Sequence, residues 1–385
     1  MASTVLIVSF SPLSRDPRVL RQTRMVRQLL PDATILTVGH GDPWDEDLKH
    51  FILKQSASPL LGSRILVSIG KNMLLDLFLG RLWAKALAFL GAHSAYYERI
   101  SRVHEASEIL EQINQQFDVS HVIANDFDCL PLVKQHFSGQ KVFLDAHEFT
   151  PDQSLSHSFK NRWVRAHKKW LVKSTFFYPK NMSTVSEGIR NLYLSQFGRR
   201  PITVWPNIPS NAVVKRIAQA KPELIRLVHH GLGTRPRQLE RMVETVGLLG
   251  EGYELHFYLV NLDDKYREEL SKDLKDNQVF FHEPVSTLEI TREISKYDIG
   301  FFLHEPMSLN AKFMLPNKFF EFALAGLAVA TGPAEEMSRI SSRHGFGIVS
   351  EDFTPSSMAL EWKRLSAGDI PRMNRAARSF ASGLE

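Results

Sequence analysis

Short runs of Val, Ile, Leu and Phe alternate along the whole chain with longer stretches in which apolar residues recur at helical spacing. That is the pattern of parallel strands joined by crossover helices. In the first half, Val5–Phe10, Thr34–Val38, His121–Ala124, Lys141–Asp145, Ser183–Val185 and Ile202–Val204 predict strands, with helices filling the gaps. A second series comprises Ile225–His229, Glu254–Val260, Val279–Phe281, Ile299–Leu303, Ala328–Thr331 and Phe346–Val349. Between them lies Trp205-Pro-Asn-Ile-Pro-Ser-Asn211, whose prolines can continue neither a strand nor a helix and so mark a linker. The chain therefore reads as two α/β units in tandem, residues 1–208 and 209–385, with no short-period repeat and no low-complexity stretch.

The most apolar region, Asn72–Tyr97, is interrupted by Asp76, Arg81 and Lys85, which leaves it short of the roughly 18–20 uninterrupted apolar residues that span a bilayer. Leucines and aromatics lie nearly all round it. It is either a buried helix or, given Lys71, Arg81, Lys85, Arg99 and Arg102 around it, a helix that docks on an anionic membrane. The start, Met1-Ala-Ser-Thr-Val-Leu-Ile-Val-Ser-Phe10, has no basic leader and reads as a first strand rather than a signal peptide. A single cysteine, Cys129, excludes an internal disulfide framework and is expected to be a buried core thiol. These features favour the cytoplasm, with peripheral contact at the inner face of the membrane as the further expectation.

With 385 residues, 43% hydrophobic and 23% charged, the composition is that of an ordinary globular protein large enough for two domains. Charge is unequally shared: residues 1–208 carry 25 Lys and Arg against 18 Asp and Glu, whereas the remainder carries 22 against 24. A basic first half suits an anionic membrane or acidic acceptor. Nucleic acid is not expected, because the series Arg15, Arg18, Arg21, Arg24 and Arg27 lacks interleaved aromatics on which bases could stack.

Open parallel sheets bind ligands beyond the carboxyl ends of their strands, so polar residues placed just after strands carry the chemical information. After Ile225–His229 comes Gly231-Leu-Gly-Thr-Arg-Pro-Arg237. Gly231 and Gly233 permit close backbone approach, Pro236 suits the first turn of a helix, and Arg235 or Arg237 could hydrogen-bond an anion held at that helix start. Further on stands Leu315-Pro-Asn-Lys-Phe-Phe-Glu-Phe-Ala-Leu-Ala-Gly326. Here Pro316 can open a helix, and Lys318 and Glu321, three apart, share one face of it among phenylalanines. A cation for phosphate and a carboxylate for ribose hydroxyls would then project from one helix start.

At this point the chain resembles the retaining glycosyltransferases of family 4, which have the GT-B fold of two Rossmann-like domains with parallel sheets facing an interdomain cleft. Asp16-Pro-Arg-Val19, Leu144-Asp-Ala-His-Glu148, Thr184-Val-Ser-Glu-Gly-Ile189 with Pro206-Asn207, and Leu315-Pro-Asn-Lys-Phe-Phe-Glu321 through Gly326 carry the resemblance, in the family's order across nearly the whole chain. It implies an acceptor-side first domain and a donor-binding second domain. The donor diphosphate would be held by the Gly231–Arg237 turn, Asn317 and Lys318, with Glu321 on the ribose and His147 near the donor sugar. Many members carry a further glutamate eight positions before the ribose glutamate; here that position is Phe313, leaving Glu305 and Asn310 as the polar substitutes.

The implied reaction moves a glycosyl group from a nucleoside-diphosphate sugar to an acceptor hydroxyl on a glycan, a lipid-linked molecule or a protein, with retention. Basic groups and a helix start would stabilise the departing diphosphate. No Asp-x-Asp signature or His/Cys ligand spacing appears, so no metal and no cofactor beyond the donor substrate are expected. A non-catalytic GT-B-like partner of another enzyme is the alternative, suggested by Phe313. A nicotinamide-dependent dehydrogenase is disfavoured, since no acidic residue stands about 20 residues after a Gly-x-Gly-x-x-Gly turn. Sugar-phosphate synthases and phosphorylases share the fold.

Overall fold

The computed structural model describes residues 3–13, 16–41, 45, 47–53, 93–98, 101–153, 162–209, 214, 224–272, 278–366 and 368–384. The chain divides into two units: Met1–Pro206 with Ser308–Asn310, and Asn207–Met307 with Ala311–Glu385.

In the first unit seven strands form one sheet: β1 (Thr4–Pro12), β2 (Thr34–His40), β3 (Lys49–Ile52), β4 (Val119–Asn125), β5 (Val142–Ala146), β6 (Asn181–Thr184) and β7 (Thr203–Val204). Their order is β3-β2-β1-β4-β5-β6-β7, and every neighbouring pair runs parallel. The second unit repeats the scheme with β8 (Ile225–Leu232), β9 (Tyr253–Val260), β10 (Val279–His282), β11 (Ile299–Phe302), β12 (Ala328–Thr331) and β13 (Gly347–Val349). Its order is β10-β9-β8-β11-β12-β13, again all parallel. In each unit the chain winds outward from the first strand in one direction and then in the other. The two switch points, β1/β4 and β8/β11, are where a ligand crevice opens in such sheets.

Strand parity explains the second unit's core. Successive side chains point to opposite faces, so Leu227, Phe257 and Phe301 enter one buried cluster with Met242 and Trp362. Their neighbours Val228, Tyr258 and Phe302 enter another with Phe319, Phe320, Phe322 and Phe346. Both faces are covered, hence the continuous apolar runs. The helix Asn317–Leu324 packs so closely on β11 that a Cβ on Gly300 would lie 2.2 Å from the Phe322 ring.

Two local expectations are corrected. β3 is not predicted by its sequence, because Lys49-His-Phe-Ile52 is a partly exposed edge strand without a continuous apolar run. Pro236 opens no long helix: Arg235–Arg237 forms one 3-10 turn, Gln238 takes a left-handed φ of 53°, and the α-helix starts only at Glu240. Residues 72–92 of the apolar stretch, and with them its proposed membrane contact, lie outside the described residues. Its end, helix His93–Glu98, buries Tyr97, whose hydroxyl donates to the Asp128 carbonyl at 2.6 Å. Among the described residues no helix is long and apolar enough to cross a membrane. Cys129 is buried, as expected of a core thiol.

Candidate functional site

The second unit gathers its chemistry at the β8/β11 switch point. β8 ends in His229-His230-Gly231, and helix Asn317–Leu324 brings Lys318 across to it. The Lys318 amine donates to the His230 carbonyl at 2.7 Å, lies 3.2 Å from His229 Nε2, and stands over the Phe302 ring at 4.9 Å. Gly231 is what makes room: at φ 120° it occupies backbone space closed to other residues, and a Cβ there would sit 3.0 Å from the Lys318 amine. Gly233 is confined differently, since a Cβ on it would meet the Leu262 side chain at 2.7 Å.

Burial lowers the Lys318 pKa from 10.5 to about 7, with repulsion from Arg237 adding to the shift and Glu321 opposing it. Lys318 as a whole residue keeps some water-accessible surface. Glu321 is buried, and burial raises its carboxyl from 4.5 to about 7 against the attraction of Lys318. His230 Nε2 lies 3.2 Å from a Glu321 oxygen, yet that nitrogen makes no aligned hydrogen bond. Burial, and then Lys318, bring His230 down to about 3, so the pair is a contact with a neutral imidazole rather than a formed salt bridge. A buried His230 nitrogen thus stands unsatisfied beside an amine whose hydrogen-bond partners on β8 are uncharged.

Of the two arginines left open by the sequence, the structure puts Arg237 near Lys318, where its charge acts on the amine, on His229 and on His304. Arg235 is engaged elsewhere: its guanidinium pairs with Glu269 and stacks over the Tyr266 ring at 4.7 Å. Glu305 is half exposed and pairs with Arg241 at 2.5 Å, while its backbone N–H donates to Gln238. Asn310 is buried but groups with the first unit rather than with Lys318. Asn317, the first residue of its helix, accepts at Oδ1 a 2.9 Å hydrogen bond from buried Asn207. Asn207, from the linker, thereby anchors the helix that carries Lys318.

In the first unit His147 directly follows β5, next to a buried polar network at the β1/β4 switch point. Asp16 caps the helix Pro17–Leu29 by accepting from the Arg18 N–H, and also pairs with the Arg18 guanidinium at 2.9 Å. Arg18 reaches on to Asp126 at 2.8 Å, and the other Asp126 oxygen accepts from the His147 backbone N–H at 3.1 Å. Asp126 holds a left-handed φ of 65°, a conformation that aspartate tolerates better than most residues. Asp145 accepts from Gln22 and Ser183, both buried. Burial, and then the charge of Arg18, lower the His147 pKa, so its imidazole is a neutral group able to give or take a proton.

Sequence reasoning missed His229, His230, His304 and Asp126. The paired histidines at the end of a predicted strand were the available signal. His304, just beyond β11, is buried with an unpaired Nδ1, and burial followed by Arg237 and Lys318 lowers it to about 4.

No protein-family model matches the chain, and no curated protein matches it in sequence. Solved structures do match in fold. Sucrose-phosphate synthase from Thermosynechococcus elongatus shares 11% identity at a TM-score of 0.65, over 99% of this chain and 94% of that one. WaaG, a glycosyltransferase involved in lipopolysaccharide biosynthesis, shares 10% at 0.61, over 98% and 95%. Medicago truncatula UGT71G1, complexed with UDP-glucose, shares 11% at 0.51, over 98% and 94%. At such identities the likeness shows the fold, and the α/β architecture of two parallel sheets with helices is that of the GT-B glycosyltransferases.

Proposed function

We propose that the protein is a glycosyltransferase that takes a nucleoside-diphosphate sugar in its second unit and passes the sugar to an acceptor hydroxyl, with retention and without a metal ion. One observation carries the reading: a crowded lysine amine, with a second cation near it and, among the described residues, no carboxylate within ion-pairing distance, stands at a strand end where glycine keeps the backbone open. A diphosphate supplies the missing negative charge. In this reading the Lys318 amine, Arg237 and the N–H groups at the start of helix Asn317–Leu324 hold the phosphates, and Glu321 takes the ribose hydroxyls. As the glycosyl bond breaks, charge builds on the leaving diphosphate, and these preorganised donors stabilise it most at that moment. His147, neutral in the resting protein, is the first unit's candidate for giving or taking a proton. The nucleotide sugar bound to UGT71G1 and the glycosyltransferase role of WaaG, two proteins of the same fold, support the substrate class.

The test is thermal melting with UDP, GDP and ADP, with chelator in place of magnesium. One of them is expected to raise the melting temperature, because at about 100 times its Kd a ligand of the folded state adds about 2.7 kcal/mol. No shift with any of the three would remove the donor site. The anomeric proton signal of a transferred sugar then reports retention or inversion.

A further inference from the structure

His229 plays no part in the reading above, yet it is fixed from both sides of its ring. Its Nδ1 lies 2.8 Å from the Phe301 carbonyl of β11, which can only accept, so Nδ1 carries the hydrogen and Nε2 is left as a lone-pair acceptor. That acceptor is the atom 3.2 Å from the Lys318 amine. The ring is 1% exposed and stacks on Phe302, the same ring over which the amine stands, with planes 10° apart. A neighbouring β11 carbonyl thus sets the tautomer of a β8 side chain, and the tautomer decides what Lys318 meets.

We propose that His229 is a positioning residue for Lys318, locked by the Phe301 carbonyl as the tautomer that accepts from the amine, so that the lysine is held charged and aimed before a diphosphate arrives. The inference rests on the donor-site reading and deepens it. With the opposite tautomer an N–H would face the amine, and an imidazolium would repel it. The other groups that act on the amine are His230 through its carbonyl on β8, Arg237 beyond β8, Glu321 on the lysine's own helix and, from beyond β11, His304. Among these His229 is the side chain that offers the amine a hydrogen-bond acceptor. Burial, Lys318 and Arg237 hold its own pKa well below the usual histidine value, so it stays an acceptor throughout the range in which the lysine titrates.

The experiment is calorimetric affinity for UDP, GDP and ADP from about pH 6 to about pH 9, in wild type, His229→Met and His229→Gln. In wild type, affinity is expected to fall as pH rises and Lys318 loses its proton. His229→Met keeps the volume but offers no comparable acceptor, so the fall should begin about one pH unit lower, giving about tenfold weaker binding near pH 7.5 and little change near pH 6. His229→Gln, whose amide oxygen reaches the Nε2 position, should restore the wild-type profile. A purely structural role would weaken binding equally at every pH. His229→Met tracking wild type throughout would overturn the proposal. Should that variant fail to fold, His229→Gln against His229→Asn decides, because the shorter amide reaches only the Nδ1 position; identical profiles for the two would count against the role. An unshifted His229→Met profile alongside lost binding in Lys318→Ala sinks the histidine's role and leaves the donor site standing. No binding of any nucleotide by wild type removes both.

Discussion

At the scale of single residues, the second unit's site depends on a lysine placed where lysine is costly. Lys318→Ala is expected to lower kcat by about 100- to 1000-fold, the loss typical of removing one preorganised donor to a developing oxyanion. Lys169→Ala, on an exposed position of helix Arg162–Thr175, should change it less than about twofold. Small, equal effects in both would refute the assignment. Gly231→Ala tests the same geometry from the backbone side. Its methyl would stand 3.0 Å from the amine at a φ of 120°, and nucleotide binding is expected to weaken by at least about tenfold while the fold survives. Unchanged affinity would show that the backbone at Gly231 does not face the ligand.

At the scale of elements, the helix Asn317–Leu324 is a precision part. Its buried face, Phe319, Phe320 and Phe322, packs it onto the second sheet, and Asn207 ties down its first residue. Phe322→Ala would empty the space over Gly300 and is expected to cost about 3–5 kcal/mol, read as a lower denaturant midpoint. A cost below about 1 kcal/mol would mean that the helix is held by something other than this contact. The charged pair on this helix was legible because a cation and a carboxylate three apart among phenylalanines make an unusual helix start. Which of Arg235 and Arg237 served it was not. Both follow the same strand, and the choice fell to Glu269 and Tyr266, both on the helix Asp264–Ser271 some 30 residues downstream, which captures Arg235.

At the scale of the whole molecule, the site is a source of instability near neutral pH. The Glu321 carboxyl is raised from 4.5 to about 7, so its stabilising contribution is full below 4.5 and is lost as pH climbs through 7. The Lys318 amine is lowered from 10.5 to about 7, so its contribution is full above 10.5 and is lost as pH falls through 7. Their sum is therefore least favourable around neutrality, where neither contribution is recovered. The double variant Lys318→Met with Glu321→Gln is expected to melt higher than wild type near pH 7, with the gap narrowing toward pH 4.5 as the Glu321 share returns and toward pH 10.5 as the Lys318 share returns, and to be inactive. A constant gap at all pH values would mean that these groups do not titrate as described.

The alternation of strand and helix and the strands that end in polar residues follow from local patterning, because burial on both faces of a parallel sheet imposes continuous apolar runs on the chain itself. That much the sequence determined alone. The edge strand Lys49–Ile52 and the histidines around Lys318 were decided only on folding. A sheet edge needs no apolar signature, and the proton position on His229 depends on a carbonyl 72 residues away, brought within 2.8 Å by strand pairing between β8 and β11.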